Sequence, residues 1–276
     1  MAYLLSNVDF GKMGEYIYRK TGIFLEADKH FEKLAKYIDN RAKVIGIDSF
    51  RKYFYTLRFE DKDGIEFQEL MNAVTVNETY FYREKEQFEV LVERILPELH
   101  ISKPRQQTIR ILCAPCSTGE EPYSIILHLL EEGRLIEDRD IEVVGIDIDS
   151  TVIAKAKVGK YSERSIHAIP PKVLVKNFKK RSLGYELIDD LIGTVDFKVA
   201  NVFDKMQMRQ LGKFDVIFSR NMLIYFDDAS RKEVAMTFYD MINTGGYVLL
   251  GHAEYMSRIT SVFKAKKIDS TLIYQK

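Results

Sequence analysis

"CAPCSTGEEPYS", residues 113–124, joins two apolar runs, "IRIL" at 109–112 and "IILHLL" at 125–130. Two readings of it compete. Cys113-x-x-Cys116 has the spacing of a redox pair or of half a metal site. A zinc site would need two further Cys or His ligands at suitable spacing, and the chain has only these two cysteines and no such completing pair. Gly119 supports the other reading: a tight turn from a buried strand into a helix, built from Ala114, Ser117, Thr118 and Gly119, with Pro122 at the helix start.

A turn of this kind binds nucleotides in many folds, but here the ligand is constrained. The loop does not read G-x-G-x-x-G, so it lacks the dinucleotide fingerprint. It also places Glu120 and Glu121 at the helix N-terminus, where a pyrophosphate would need freedom from negative charge. A ligand carrying a cation and no phosphate suits these carboxylates. S-adenosylmethionine is such a ligand, with a sulfonium, an α-ammonium and an adenosine.

Outward from this stretch, short apolar runs alternate with helical patterns. "IRILCA" (109–114), "IEVVGIDI" (141–148), "VDFKVANV" (195–202), "FDVIFSRN" (214–221) and "YVLLGH" (247–252) read as strands. Helices are expected over "PYSIILHLLEEG" to Gly133, over "DSTVIAKAKVG" with Asp149 or Ser150 as N-cap, and over "DASRKEVAMTFYDMINTGG" with Gly245 as its stop. "FKAKKI" (263–268) and "TLIYQ" (271–275) add two closing strands. The alternation implies an α/β fold with a mostly parallel sheet covered on both faces. Ligands in such sheets sit beyond the C-terminal strand ends. There Asp147 is suited to ribose hydroxyls and Asn201 with its backbone to an adenine edge. Arg220, Asn221 and Tyr225 follow the next strand, and a buried Arg or Asn is costly unless something polar meets it.

The first hundred residues read as helical. Phe31, Leu34, Ala35, Ile38, Ala42 and Ile45 lie on one face of a helix within 27–47. Shorter helices are expected over "DSFRKYFYTLR", "GIEFQELMNAV" and "KEQFEVLVERILPEL", where Pro97 ends or kinks the last. The division expected is a helical unit and linker segment over 1–100 and a Rossmann-like unit over 101–276, with an inserted subdomain at about 160–194.

Composition bounds the function. Of 276 residues, 46% are hydrophobic and 30% charged, and 41 basic side chains balance 41 acidic ones. A neutral chain is not one that coats nucleic acid. No apolar run approaches the roughly 20 residues that span a bilayer, and the N-terminus lacks a signal-peptide pattern. A cytoplasmic, reduced, monomeric protein with no membrane insertion is expected.

"NETYFYRE" (77–84), "STGEEPYS" (117–124), "GIDID" (145–149) and "SRNMLIYF" (219–226), in this order, resemble the CheR family of chemotaxis protein-glutamate O-methyltransferases. The resemblance spans essentially the whole chain. It implies a helical N-terminal domain and a Rossmann-like methyltransferase domain with a small β-subdomain. By the same resemblance Asn77, Thr79 and Arg83 reach over the cofactor, Glu120 holds the methionine moiety, and Asp147 the ribose. Ala114 and Gly119 belong to the cofactor turn, Asn201 and Val202 meet the adenosine, and Arg220 and Asn221 line the same cleft. The implied partner is the helical bundle of methyl-accepting chemotaxis receptors, whose glutamates receive the methyl group. Arg83 would hold the acceptor carboxylate and Tyr225 orient it.

Two further expectations concern receptor docking. Lys29, Lys33, Lys36, Arg41 and Lys43 form a nearly single-signed stripe suited to acidic helices. The segment 178–197 is short for a subdomain that tethers a receptor C-terminal peptide, so docking without that peptide is expected. The rival readings are a methyltransferase for another substrate and a non-catalytic, receptor-binding relative.

Overall fold

The run Ile109–Cys113 becomes strand β1, an interior strand of a seven-stranded sheet. Successive side chains of a strand point to opposite faces, so a strand covered on both sides must be apolar throughout. Ile109, Ile111 and Cys113 enter the core on one face of the sheet, and Leu112 enters the core on the other. The computed structural model describes residues 4–132 and 139–276. The expected helix stop at Gly133 lies outside the described residues.

The sheet comprises β1, β2 (Ile141–Asp147), β6 (Val195–Val199), β7 (Phe214–Ser219), β8 (Ile242–Leu250), β9 (Lys264–Ile268) and β10 (Thr271–Gln275), in the order β6-β2-β1-β7-β8-β10-β9. The first five of that order run parallel, β10 runs antiparallel to β8, and β9 runs antiparallel to β10. The chain steps outward from β1 through β2 to β6, then returns to build the other side from β7. The switch point therefore lies between β1 and β7, and the loops after them diverge to leave a crevice. Strands β3 (Lys160–Tyr161), β4 (Phe178–Arg181) and β5 (Gly184–Leu187) form a separate three-stranded antiparallel sheet between β2 and β6 in the chain.

Among the described residues six α-helices precede β1: α1 (Asn7–Thr21), α2 (Ala27–Val44), α3 (Phe50–Tyr55), α4 (Ile65–Val74), α5 (Lys85–Val90) and α6 (Leu96–Ser102). The first four, with Leu57 from the π-helical stretch Thr56–Glu60 after α3, bury Met13, Ile17, Leu34, Ile38, Tyr53 and Leu70 in a core of their own. Pro97 neither ends nor breaks the helical path. A π-helical stretch at Leu91–Ile95 runs directly into α6 at Leu96, and this wide turn immediately before Pro97 accommodates a residue that lacks the N–H of a regular helical bond.

Two helix boundaries depart from expectation. Helix α7 (Glu120–Glu132) starts two residues before Pro122, so the proline sits inside the first turn. The helix after β7, Asp228–Met241, stops short of Gly245. Residues 242–246 instead begin β8, where Ile242 pairs with Phe214 across a bulge. Sheet pairing outweighs local helical periodicity there.

Candidate functional site

The crevice at the switch point is a cavity of about 270 Å³, near the low end of the size range of small-molecule sites. Its floor is the β1 turn and the end of β2. The peptide Ala114–Pro115 is cis, and Ser117 and Gly119 take left-handed φ values of 47° and 94°. Gly119 is needed for packing as well as for conformation. A Cβ there would stand 3.0 Å from both Ala156 and Phe197. Gly119 and Ala114 shape the turn from behind and do not line the cavity; Pro115, Cys116 and Ser117 do.

Asp147 is 4% exposed and faces the cavity. Its Oδ2 accepts from the Ser117 amide at 2.9 Å and its Oδ1 from the Asp149 amide at 3.0 Å. Burial raises its carboxyl from the ordinary 3.8 to about 6, against the pull of those amides. Asp149 is the helix cap. Its Oδ1 accepts from the Thr151 amide at 2.8 Å, and its Oδ2 accepts from Thr75 Oγ1 at 3.0 Å and Asn77 Nδ2 at 2.8 Å.

The two glutamates of the turn have separated roles. The Glu120 side chain points away from the cavity, where Oε2 accepts from the Thr118 hydroxyl and Oε1 from the Ser165 hydroxyl. Glu121, one residue on, lines the cavity and lies 3.1 Å from Arg220 Nη1. Of the two, it is Glu121 and not the expected Glu120 that lines the cavity: the first turn of α7 rotates successive side chains by about 100°. Among the described residues no N–H or O–H donor meets the buried Glu121 Oε1, and the Cys113 thiol bonds to the same carboxylate. Burial pushes the Glu121 carboxyl up; Arg220 and the Cys113 thiol oppose that. A buried acceptor left open in a ligand cavity fits a cationic group such as an α-ammonium. The cysteine thiols are themselves fully buried and pushed well above their ordinary range, so they are protonated fillers of the core.

The β7 loop forms one wall. Arg220 is 5% exposed, packs its guanidinium 5.3 Å from the Phe88 ring centre, and has Glu84 at 3.4 Å. Asn221, at φ 56°, and Tyr225 also line the cavity. Burial and the nearby Glu78 raise the Tyr225 hydroxyl. Asn201 and Val202 close the far end after β6. The Asn201 side-chain Nδ2 already donates to Lys20 O at 2.8 Å.

The fourth wall comes from the helical unit. Asn77, Thr79 and Arg83 line the cavity, as do Thr21, Ile23, Phe24, Leu25 and His30 around the α1–α2 connection. Arg83 lies 5.8 Å from the Tyr80 ring centre, and its Nη1 donates to Glu78 O at 3.2 Å. No motif marks the α1–α2 residues. Their signal was the 3-4-4 spacing of Phe10, Met13, Ile17 and Thr21, which defines α1 but is weakened by Gly11 and Gly14.

The lysine stripe on α2 is not single-signed in three dimensions. Lys29 pairs with Glu26 at 2.8 Å and Lys36 with Glu32 at 2.5 Å. Arg41 turns inward to a two-pronged contact with Glu66. Lys33 donates to Thr75 O at 3.1 Å, beside the cavity. Lys43 is exposed. Glu26 and Glu32 lie three and four residues before Lys29 and Lys36, within reach by helical spacing alone, whereas Glu66 on α4 meets Arg41 only once the helices pack.

Comparison with known proteins agrees with this geometry. Residues 77–272 match the family described as "CheR methyltransferase, SAM binding domain". The chain is 44% identical over 274 residues to chemotaxis protein methyltransferase 2 of Vibrio cholerae, covering 99% of this chain and 94% of that protein. It is 30% identical over 266 residues to the chemotaxis protein methyltransferase of Salmonella typhimurium, covering 95% and 88%. A cavity at the switch point, an acid at the end of β2 and an open buried carboxylate belong to a chain whose sequence matches one family over most of its length: the protein belongs to the CheR methyltransferases and binds S-adenosylmethionine as its cofactor.

Proposed function

We propose that this protein transfers a methyl group to glutamate carboxylates of methyl-accepting chemotaxis receptors, forming methyl esters. The observation that carries the reading is the cavity itself, whose lining holds Asp147 and Glu121 together with Arg83 and Tyr225. The two acids suit a cationic ligand. The arginine and the phenol suit an incoming anion.

S-adenosylmethionine supplies, when bound, a methyl group already activated by a sulfonium. The residues fit it: Asp147 would accept from the ribose hydroxyls, Glu121 would meet the ammonium, and Asn201 and Val202 would border the adenine. A glutamate side chain, with a pKa near ~4.3, is ionised at neutral pH and needs no general base. The protein's task is therefore to orient two partners and exclude water. Arg83, half-buried and held by Glu78 O and Tyr80, would take the acceptor carboxylate at the mouth. The Tyr225 hydroxyl, raised in pKa, stays protonated and would donate a hydrogen bond that aims one carboxylate oxygen. The exposed α2 lysines would face acidic receptor helices; as most already have partners, they would act mainly on encounter rate.

The test is methyl transfer from labelled cofactor to receptor-containing membranes, read as alkali-labile ester. Arg83→Ala and Tyr225→Phe should each lower turnover at saturating cofactor by about 10- to 1,000-fold, Tyr225→Phe with cofactor binding retained and Arg83→Ala with weaker binding that saturation makes good. No labile ester from a protein that binds the cofactor would sink the substrate assignment. Wild-type turnover in both variants would sink the two roles.

A further inference from the structure

Outside the residues already discussed, one buried carboxylate reaches into the wall that carries Arg220, Asn221 and Tyr225. Glu254 lies just after β8 and is 7% exposed. Its Oε2 accepts from the Asn221 amide at 2.8 Å and from the Gly251 amide at 3.0 Å. Its Oε1 accepts from the Leu223 amide at 2.7 Å. Among the described residues no cation pairs with it. A buried carboxylate without a counter-ion is expensive, and three charge-assisted amide bonds are what offset it here.

The three amides come from two neighbouring loops. Asn221 and Leu223 belong to the loop after β7, and Gly251 to the loop after β8. The β7 loop needs holding: Asn221 sits at φ 56°, a left-handed conformation that asparagine reaches more readily than most side chains but that its surroundings must still fix. Gly251 permits the close approach. A Cβ there would stand 3.0 Å from Asn221 Nδ2 and 3.0 Å from Glu254 Oε2. Beyond Leu223 the chain makes a single turn, with the Tyr225 amide donating to Met222 O at 3.1 Å, and Tyr225 O then accepts from the Phe24 amide at 3.0 Å. The position of Tyr225 therefore follows from that of the residues Glu254 grips.

We infer that Glu254 is a positioning residue for methyl transfer: its carboxylate clamps the loop after β7 so that Asn221 and Tyr225 face the cavity. The inference rests on the transferase reading for its catalytic consequence. Its structural half, that one carboxylate fixes this loop, stands independently. A carboxylate is required because donors approach both oxygens. A glutamine would present an NH₂ to at least one of the three amides, donor against donor.

The experiment uses the full chain with Glu254→Gln, checked for cooperative unfolding. Amide hydrogen exchange at Asn221, Leu223 and Gly251 should quicken by about tenfold or more, with Val216–Phe218 of β7 unchanged. Turnover at saturating cofactor should fall about 10- to 100-fold, and by more than cofactor affinity does, because the opposite wall with Asp147 is intact. Faster exchange with turnover within about twofold of wild type would make Glu254 structural only and overturn the proposal. Unchanged exchange would overturn it too. If Glu254→Gln does not fold, Gly251→Ala replaces it: the carboxylate is kept while a Cβ presses on the same contact, and the same outcomes decide. If the wild-type protein methylates no receptor, the transferase reading has failed, and the exchange measurement alone decides whether the clamp exists.

Discussion

At Glu120 and Glu121 a shift of one residue separates a structural bond from an open acceptor. Glu121→Gln should weaken cofactor binding about tenfold or more, since a hydrogen bond to a charged group is worth roughly 1.5–3 kcal/mol. Glu120→Gln should lower stability and leave cofactor affinity within about threefold, because its partners are Ser165 and Thr118. Calorimetric titration of both variants checks this, and the reverse ranking would return the role to Glu120. Asp147 yields a pH prediction. Its carboxyl titrates near 6 in the free protein, and only the ionised form can accept from two ribose hydroxyls without a competing proton. Cofactor affinity should therefore fall as pH drops below about 6, by up to about tenfold per unit. Glu121, also raised, adds in the same sense. The sign for the free protein's stability is opposite. A folded pKa above the ordinary 3.8 contributes stability present below that value and lost as pH rises through about 6. A flat affinity profile between pH 5 and 8 would remove Asp147 from the site.

The α1–α2 connection matters at the level of elements. It is tied to the β7 loop by an isolated bridge between Ile23 and Phe226, and Tyr18 donates to Asp227 Oδ2 at 2.8 Å. Gly22, at φ 71°, is pressed against Phe203 and Phe226; a Cβ there would lie 2.8 Å from the Phe203 ring. Gly22→Ala should cost about 1–2 kcal/mol from the left-handed conformation alone. It should also lower turnover, because the clash pushes on the residues that flank Tyr225. Thermal unfolding and methyl transfer together check it; unaltered stability would mean that this contact is slack. Helix α1 could be found from its spacing, yet nothing in that spacing tells that the turn after it forms a wall of the site. The end of the helix at Met241 was likewise hidden, since Ile242–Gly246 has a residue pattern either element could use and only the neighbouring β7 decides.

Across the whole molecule, the cofactor cavity is lined both by helices that precede β1 and by the ends of β1, β2, β6 and β7. Cofactor should therefore stabilise both units together. At about a hundred times Kd, a gain of about 2.7 kcal/mol is expected in one cooperative calorimetric transition. Two transitions, with only one of them moved, would show that the helical unit does not share the site. Much of this architecture was legible in the chain: continuous apolar runs declare doubly covered strands, Asp149 declares a cap, and the broken glycine pattern with two carboxylates declares a cationic ligand in place of a phosphate. Those are consequences of local periodicity and of charge, which a chain carries before it folds. Which glutamate faces the cavity, the turning of Arg41 to Glu66, the α1–α2 wall and the grip of Glu254 on Asn221 and Leu223 were decided only by tertiary structure. Each depends on a helix's rotation or on a contact between segments distant in the chain, and neither is encoded in the spacing of residues along it.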